Sequence, residues 1–257
     1  MRSIFDALPA PFAHYMMNDN LATDVILDSI GDHHGAVKDA TGTATSAFHS
    51  VVGKKNRAQD FDGTDDYIEI DDHAAFTPAL TPFSISAWVY MHDATNFIIA
   101  SKGVAGVDPE WAFWLSSADI IYMRIMDQSV PAYIGRYFNS ALTAYQNQWV
   151  HLAATYDGGI LNAGIKIYLD GVQIDDTNFG SGTFVAAENL THAIWIGTEG
   201  ANCANGVFDN VRFFNKELTG IQVMKLADFK KGKESIYAPR PNRIYGTNLN
   251  RSSIFGV

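Results

Sequence analysis

The residues best placed by type and spacing to do chemistry lie in the run Glu69-Ile70-Asp71-Asp72-His73. Carboxylates gathered on one strand suggest glycoside hydrolysis, whose retaining form holds a nucleophile and an acid/base about 5 Å apart. Without that pairing the run reads as a solvated acidic strand end. Other catalytic signatures are missing: there is no G-x-S-x-G elbow, no phosphate-cradling G-x-x-x-x-G-K and no G-x-G-x-x-G. His33 and His34 are adjacent, so on an extended strand they point to opposite faces and read as loop residues.

Metal chemistry is limited by the same inventory. Cys203 is the single cysteine, which excludes an intrachain disulfide and a cysteine-based zinc cluster. Oxygen ligands are plentiful, so calcium is the ion favoured. Asp60 and Asp62, in DFDGTDD, are candidate ligands, although Asp-Gly is also ordinary turn chemistry.

A third chemistry is sugar binding, in which the apolar face of a pyranose stacks on an aromatic ring while its hydroxyls meet fixed polar partners. Trp88, Trp111, Trp114, Tyr133 and Tyr137 are the rings available in the middle of the chain. Most large aromatics of such a protein belong to its core, and one or two exposed rings suffice for a weak glycan site.

The elements that must position these residues are strands. Strict alternation in FSISAWVYM places Phe83, Ile85, Ala87, Val89 and Met91 on one face and Ser84, Ser86, Trp88 and Tyr90 on the other. Similar runs begin at Asp66, Asn96, Trp111, Asp119, Trp149, Gly164, Ala193 and Gly206, between turn-forming clusters. Many strands and few helical stretches imply an all-β sandwich or barrel. Asp170-Gly171 between IKIYL and VQI predicts a hairpin. One helix is expected over Gly220 to Phe229, with Thr219 and Gln222 as a capping box and Ile221, Met224 and Leu226 as its apolar contacts.

The chain of 257 residues, 47% hydrophobic, can bury a large single core. Its formal charge is −10, which disfavours unspecific binding to nucleic acid or anionic lipid. The N-terminus shows no secretory apolar run and no segment approaches a membrane span, so a cytosolically made, soluble protein without membrane insertion is expected. After Gly232 the sequence contains Pro239 and Pro241, lacks periodicity and is rich in Lys and Arg, which reads as an extended basic arm on an acidic body.

Five segments in order resemble the laminin-G-like, concanavalin-A-like lectin and glucanase jelly-roll family: AHYMMNDNLATDVILDSIGDHHG, AQDFDGTDDYIEI, FSISAWVY, WVHLAATYDGG with IKIYLDGVQI, and GVFDNVRFFNKELTGIQV. The resemblance runs from about Ala13 to Phe229. It implies a two-sheet antiparallel jelly-roll sandwich with one short C-terminal helix, a domain over 1–231 and an arm over 232–257. Phe61 and Tyr67 would fill the core around a Gly63 turn, and Trp149 would anchor a strand. The family's structural calcium, where present, joins an early D-S-x-G loop to a late strand, and the matching positions here are Asp28 and Asp209. The run at Glu69 is similar to the paired-carboxylate strand of laminarinase-like hydrolases, but His73 and Ala74 stand where the second glutamate belongs.

The fold alone does not set a function. The expected role is non-catalytic, most concretely a virion component such as a capsid decoration or tail-associated protein. Its arm, through Arg240, Arg243, Tyr245, Arg251 and Phe255, would contact other subunits; about 25 extended residues span some 80 Å. The alternatives are a carbohydrate-binding or adhesive module, extracellular or at a cell surface, and a glycoside hydrolase-related enzyme.

Overall fold

The computed structural model describes residues 7–39, 45–104 and 106–228. The boundary at 231 and the arm with Arg240, Arg243, Tyr245, Arg251 and Phe255 lie outside the described residues.

The first half of the chain forms β1 (Ala13–Tyr15), β2 (Val25–Ile26), β3 (Gly35–Lys38), β4 (Ser50–Val52), β5 (Arg57–Asp62), β6 (Tyr67–Ile70), β7 (Phe83–Asp93), β8 (Ile98–Lys102), β9 (Trp111–Leu115) and β10 (Ile121–Asp127). The second half forms β11 (Ala132–Tyr137), β12 (Trp149–Tyr156), β13 (Ile165–Leu169), β14 (Val172–Gln173), β15 (Thr177–Ser181), β16 (Ile194–Ile196), β17 (Thr198–Glu199), β18 (Asn202–Cys203) and β19 (Asn205–Phe214). A helix follows over Gly220–Ala227, and a single helical turn occupies Ser46–His49.

These strands build two large antiparallel sheets. The first runs β14-β13-β12-β7-β19-β5-β4, with β1 beside β19; the second runs β15-β11-β10-β9-β8-β16-β6-β3-β2. Alternation decides what lies between them. Phe83, Ile85, Ala87, Val89 and Met91 of β7 face inward, and Trp111, Phe113, Leu115, Ile121, Met123 and Ile125 meet them from the second sheet. Phe97 and Phe208 stack across this core, with centroids 5.2 Å apart and planes at 12°. Each such fully buried side chain contributes about 1.5–3 kcal/mol.

Trp111 belongs to this core. It is wholly buried, and its Nε1 donates to the Phe76 carbonyl at 2.7 Å. Three residues away, Trp114 takes the opposite parity and leaves the core. Phe61 is also core, and Gly63 turns with φ +80°. Tyr67 instead falls on the outer face of the second sheet, because the core-facing positions of β6 are Ile68 and Ile70.

The Asp170-Gly171 turn joins β13 to β14 with both residues at positive φ, +49° and +83°, as the right-handed twist of a tight hairpin requires. The helix carries its capping box: Thr219 Oγ1 accepts from Gln222 N, and Gln222 Oε1 accepts from Thr219 N at 2.9 Å. Of its expected contacts Leu226 is made and Ile221 and Met224 are not. Val223 and Leu226 are buried against Ala153, Tyr168 and Phe214 of the first sheet, whereas Ile221 and Met224 are 48% and 52% exposed. The helix therefore closes one end of the first sheet's outer face.

Trp88, on the same face, is covered as well, whereas Tyr90 and Trp149 further along it are half-buried. Trp88 is only 5% exposed, with Lys54 Nζ 4.1 Å above its ring and the His151 ring 5.4 Å away. At the rim of the second sheet, Lys102 is fully buried and paired with Glu110, with Asp72 Oδ1 and the Leu190 carbonyl each at 2.9 Å. Burial pushes the Glu110 carboxyl upward, against the pull of Lys102.

Candidate functional site

The outer face of the second sheet carries a cluster of half-buried aromatic rings. The alternation that buries Phe113, Ile121 and Ile134 turns Trp114, Tyr122, Tyr133 and Tyr137 outward, all half-buried. Register then brings three of them side by side, since Tyr122 is paired with Trp114 on β9 and with Tyr137 on β11. Trp114 and Tyr122 stack at 5.0 Å and 15°; Tyr122 and Tyr137 stack at 4.9 Å and 24°. Cross-strand ring pairs of this kind contribute about 0.5–1.5 kcal/mol each, and the result here is a ladder of near-parallel planes. Burial, then the neighbouring Tyr137, pushes the Tyr122 hydroxyl pKa upward.

Phe179, on the edge strand β15, meets the ladder edge-on, 5.2 Å from Tyr122 at 84° and 5.6 Å from Tyr133. It pairs directly with Gly135, whose missing side chain leaves its seat. At the other end Arg124 lies 5.2 Å from the Trp114 ring and donates to Glu199 Oε1 at 3.3 Å. Glu199 sits on the β17–β18 hairpin, which folds back over β8 and is held by Ser101 Oγ donating to the Thr198 carbonyl at 2.8 Å. The platform thus runs from a polar ridge to an open sheet edge. Beyond that edge lies a groove of about 510 Å³, where Tyr133 and Phe179 meet Asn162, Asn178, Ser181 and Thr183.

On the far side of the ridge Trp195 contacts Tyr67 at 5.7 Å and His192 at 4.5 Å. Its Nε1 donates to Glu69 Oε2 at 3.3 Å, and Lys38 Nζ stands 3.6 Å from Glu69 Oε1. The residue that opened the catalytic question is therefore engaged by an indole and an ammonium. Asp72 is drawn to Lys102, and His73 Nδ1 accepts from Ala75 N at 3.1 Å, capping a short 3-10 turn. Among the described residues, the polar contacts of Glu69 are thus to Trp195 and Lys38 and not to a second carboxylate of the kind that retaining hydrolysis pairs with it.

The aspartates read as calcium ligands are occupied by donors. Asp28 Oδ1 accepts from His14 N at 2.9 Å and Ile30 N at 3.0 Å, and its Oδ2 accepts from His33 N at 3.4 Å. Asp209 is fully buried; it accepts from Lys55 N at 2.7 Å and Asn210 Nδ2 at 2.5 Å, and burial raises its pKa to about 6. Backbone and amide donors thus take up much of the acceptor capacity that a calcium ion would need from this pair. Asp62, Asp65 and Asp66 do bring oxygens within 4.8 Å of one another. Their hydrogen bonds are those of a turn, however: Asp62 Oδ1 accepts from Thr64 N at 2.7 Å, and Asp66 Oδ2 from Asp62 N at 3.0 Å. Asp60 lies outside that group, 3.1 Å from His92 Nε2.

Of the five rings singled out in the sequence, Trp114, Tyr133 and Tyr137 share this face, while Trp111 is core and Trp88 is covered on the other sheet. Tyr122, Phe179, Arg124 and Trp195 escaped the sequence reading. The alternating run at Ile121 was a sufficient signal for Tyr122, which lies at an outward position of it; TNFGS has no periodicity that would reveal Phe179.

A family model described as the concanavalin A-like lectin/glucanases superfamily matches residues 62–224. No curated protein matches the chain. Among solved structures, domain 4 of an extracellular arabinanase from Geobacillus stearothermophilus, in complex with arabinotriose, is similar with a TM-score of 0.62 and 20% identity, over 86% of this chain and 100% of that one. The ligand-binding domain of botulinum neurotoxin serotype D, in complex with N-acetylneuraminic acid, is similar with a TM-score of 0.59 and 14% identity, over 88% of this chain and 51% of that one. The binding domain of Paraclostridial Mosquitocidal Protein 1 gives 0.57 and 14%, over 82% and 52%. The match thus spans about half of each toxin domain. Among the described residues no helix is long and apolar enough to cross a membrane.

Proposed function

Because the chain belongs to the concanavalin A-like lectin/glucanase superfamily, we propose that it is a non-catalytic saccharide-binding module that works through the outer face of its second sheet. One observation carries this reading: the ladder Trp114–Tyr122–Tyr137 offers near-parallel ring planes on an open face, with polar groups at both ends. A pyranose or furanose ring needs that combination, an apolar plane for its C–H face and fixed donors and acceptors for its hydroxyls. Two structures with the same fold were solved with sugars bound, which supports the class of ligand.

Hydrolysis is disfavoured by the surroundings of Glu69, whose nearest polar partners are Trp195 and Lys38. The module holds a glycan without cleaving it.

Affinity electrophoresis in gels containing soluble polysaccharides tests the proposal. Wild type should be retarded by at least one polysaccharide, and Tyr122→Ala, at a half-exposed position, should lose at least tenfold in affinity, equivalent to about 1.4 kcal/mol. Unchanged retardation of a folded Tyr122→Ala, Tyr137→Ala double variant would exclude this face.

A further inference from the structure

The platform and the groove share a chemical character that narrows the ligand. Among the described residues, the two arginines of β10 and β11, Arg124 on the ladder's face and Arg136 on the opposite one, are each paired with a carboxylate. Arg124 is paired with Glu199 at 3.3 Å, and Arg136 of β11 is paired with Asp175, Nη2 to Oδ2 at 2.7 Å and Nε to Oδ2 at 2.9 Å. The groove beyond β15 has no Asp, Glu, Lys, Arg or His in its lining. Its polar groups are amides and hydroxyls. Asn162 Oδ1 accepts from Gly135 N at 2.8 Å and Asn178 Oδ1 from Arg136 Nη1, which fixes both amides. Among the described residues neither Nδ2 has a hydrogen-bond partner.

An anionic sugar would have to bury a carboxylate on apolar rings without an available cation, next to Glu199 and on a chain of net charge −10. A neutral sugar meets rings, two fixed amides and hydroxyls. Tyr133 and Phe179 line both surfaces, and Asn178, paired with Arg136, stands on the opposite face of β15 from Phe179, so a chain lying on the ladder reaches the amides by crossing over the sheet edge. From β9 to β15 the platform crosses three strand spacings, about 14 Å, longer than one sugar ring.

We infer that the site selects a neutral, extended oligosaccharide chain and that the groove beyond β15, with Asn162 and Asn178 as donors, is a further subsite for it. This rests on the saccharide reading of the ring ladder.

The test is calorimetric titration of the full chain with neutral oligosaccharides of three and six units, cut from arabinan, xylan, mixed-linkage glucan and galactomannan. Oligogalacturonates and a sialylated trisaccharide serve as anionic counterparts. For the neutral series that binds, the hexamer should bind at least fivefold more tightly than the trimer. Asn178→Ala and Thr183→Ala, both at exposed positions, should abolish that difference while leaving the trimer unchanged. Tyr122→Ala should weaken both lengths, and Glu199→Gln, by freeing Arg124, should admit oligogalacturonate. Loss of binding in Tyr122→Ala without any length dependence in wild type overturns the groove subsite alone. Tighter binding of the anionic probes overturns the charge inference. Silence from every neutral probe, or binding that survives Tyr122→Ala, overturns the ladder reading with it.

Discussion

Phe179 and Gly135 face each other across the β11–β15 pair, and the ring occupies the space that a side chain at 135 would fill. A Cβ there would stand 2.2 Å from Phe179 Cε1 and 2.8 Å from the Met123 carbonyl oxygen. Gly135→Ala is therefore expected to displace Phe179, weaken saccharide binding severalfold and cost about 1–3 kcal/mol of stability by overpacking. Titration alongside thermal melting checks it; a variant with wild-type affinity would remove Phe179 from the site.

Lys102 and Glu110 predict an asymmetry. Glu110→Ala leaves a fully buried ammonium with only Asp72 and a carbonyl, and should destabilise by about 3–5 kcal/mol. The double variant Lys102→Met, Glu110→Leu removes both charges and should lose markedly less. Urea denaturation of the two variants gives the comparison, and equal losses would contradict it.

Acid should destabilise the fold through histidines. Burial lowers His151 to about 3; its ring nitrogens have no hydrogen-bond partner. Burial, with Arg212 beside it, also lowers His14 to about 3. Between the unfolded value of 6.5 and about 3 the unfolded chain binds protons that the folded chain refuses, so stability falls with falling pH in that window. At pH 5 the loss is about 2 kcal/mol per histidine. Asp209 acts oppositely. Its folded pKa of about 6 exceeds the ordinary 3.8, so its contribution grows as pH falls through 6 and offsets part of the loss. His151→Phe should flatten the decline of melting temperature between pH 7 and pH 5; an unchanged decline would count against this assignment.

The capping box gives a smaller, local prediction. Thr219→Ala removes the acceptor for Gln222 N and should cost about 1 kcal/mol, read as a lower melting temperature with the saccharide affinity untouched. The helix packs on the first sheet, remote from the ring ladder, so a coupled loss of affinity would be unexpected.

How far the sequence could be read follows from the strength of each local signal. The sequence of β7 alternates from Phe83 to Met91, so its inward set is legible outright. Asp170-Gly171 and Thr219-x-x-Gln222 were legible because turn and cap chemistry is local. Leu226 is legible as a helix contact, but Ile221 and Met224 turn to solvent and Val223 takes their place, because 3.6-residue spacing fixes which residues share a face but not which face meets the sheet. Trp111 and Trp114 show the same ambiguity on a strand: the odd spacing sends them to opposite faces, and only the partner sheet decides which is core. The platform was harder still. Its edge strand carries Gly180 and a single ring at Phe179, and its flatness depends on register between β9, β10 and β11, which no single strand encodes.

The ring ladder ends at an unpaired sheet edge, under no closing loop among the described residues, and that sets the tempo of the grip. On the proposed function, a glycan held on such a half-exposed surface would depart once its own contacts break, so individual encounters are expected to be brief. Durable attachment then comes from repetition, several copies meeting several stretches of one polymer, each raising the local concentration for the next.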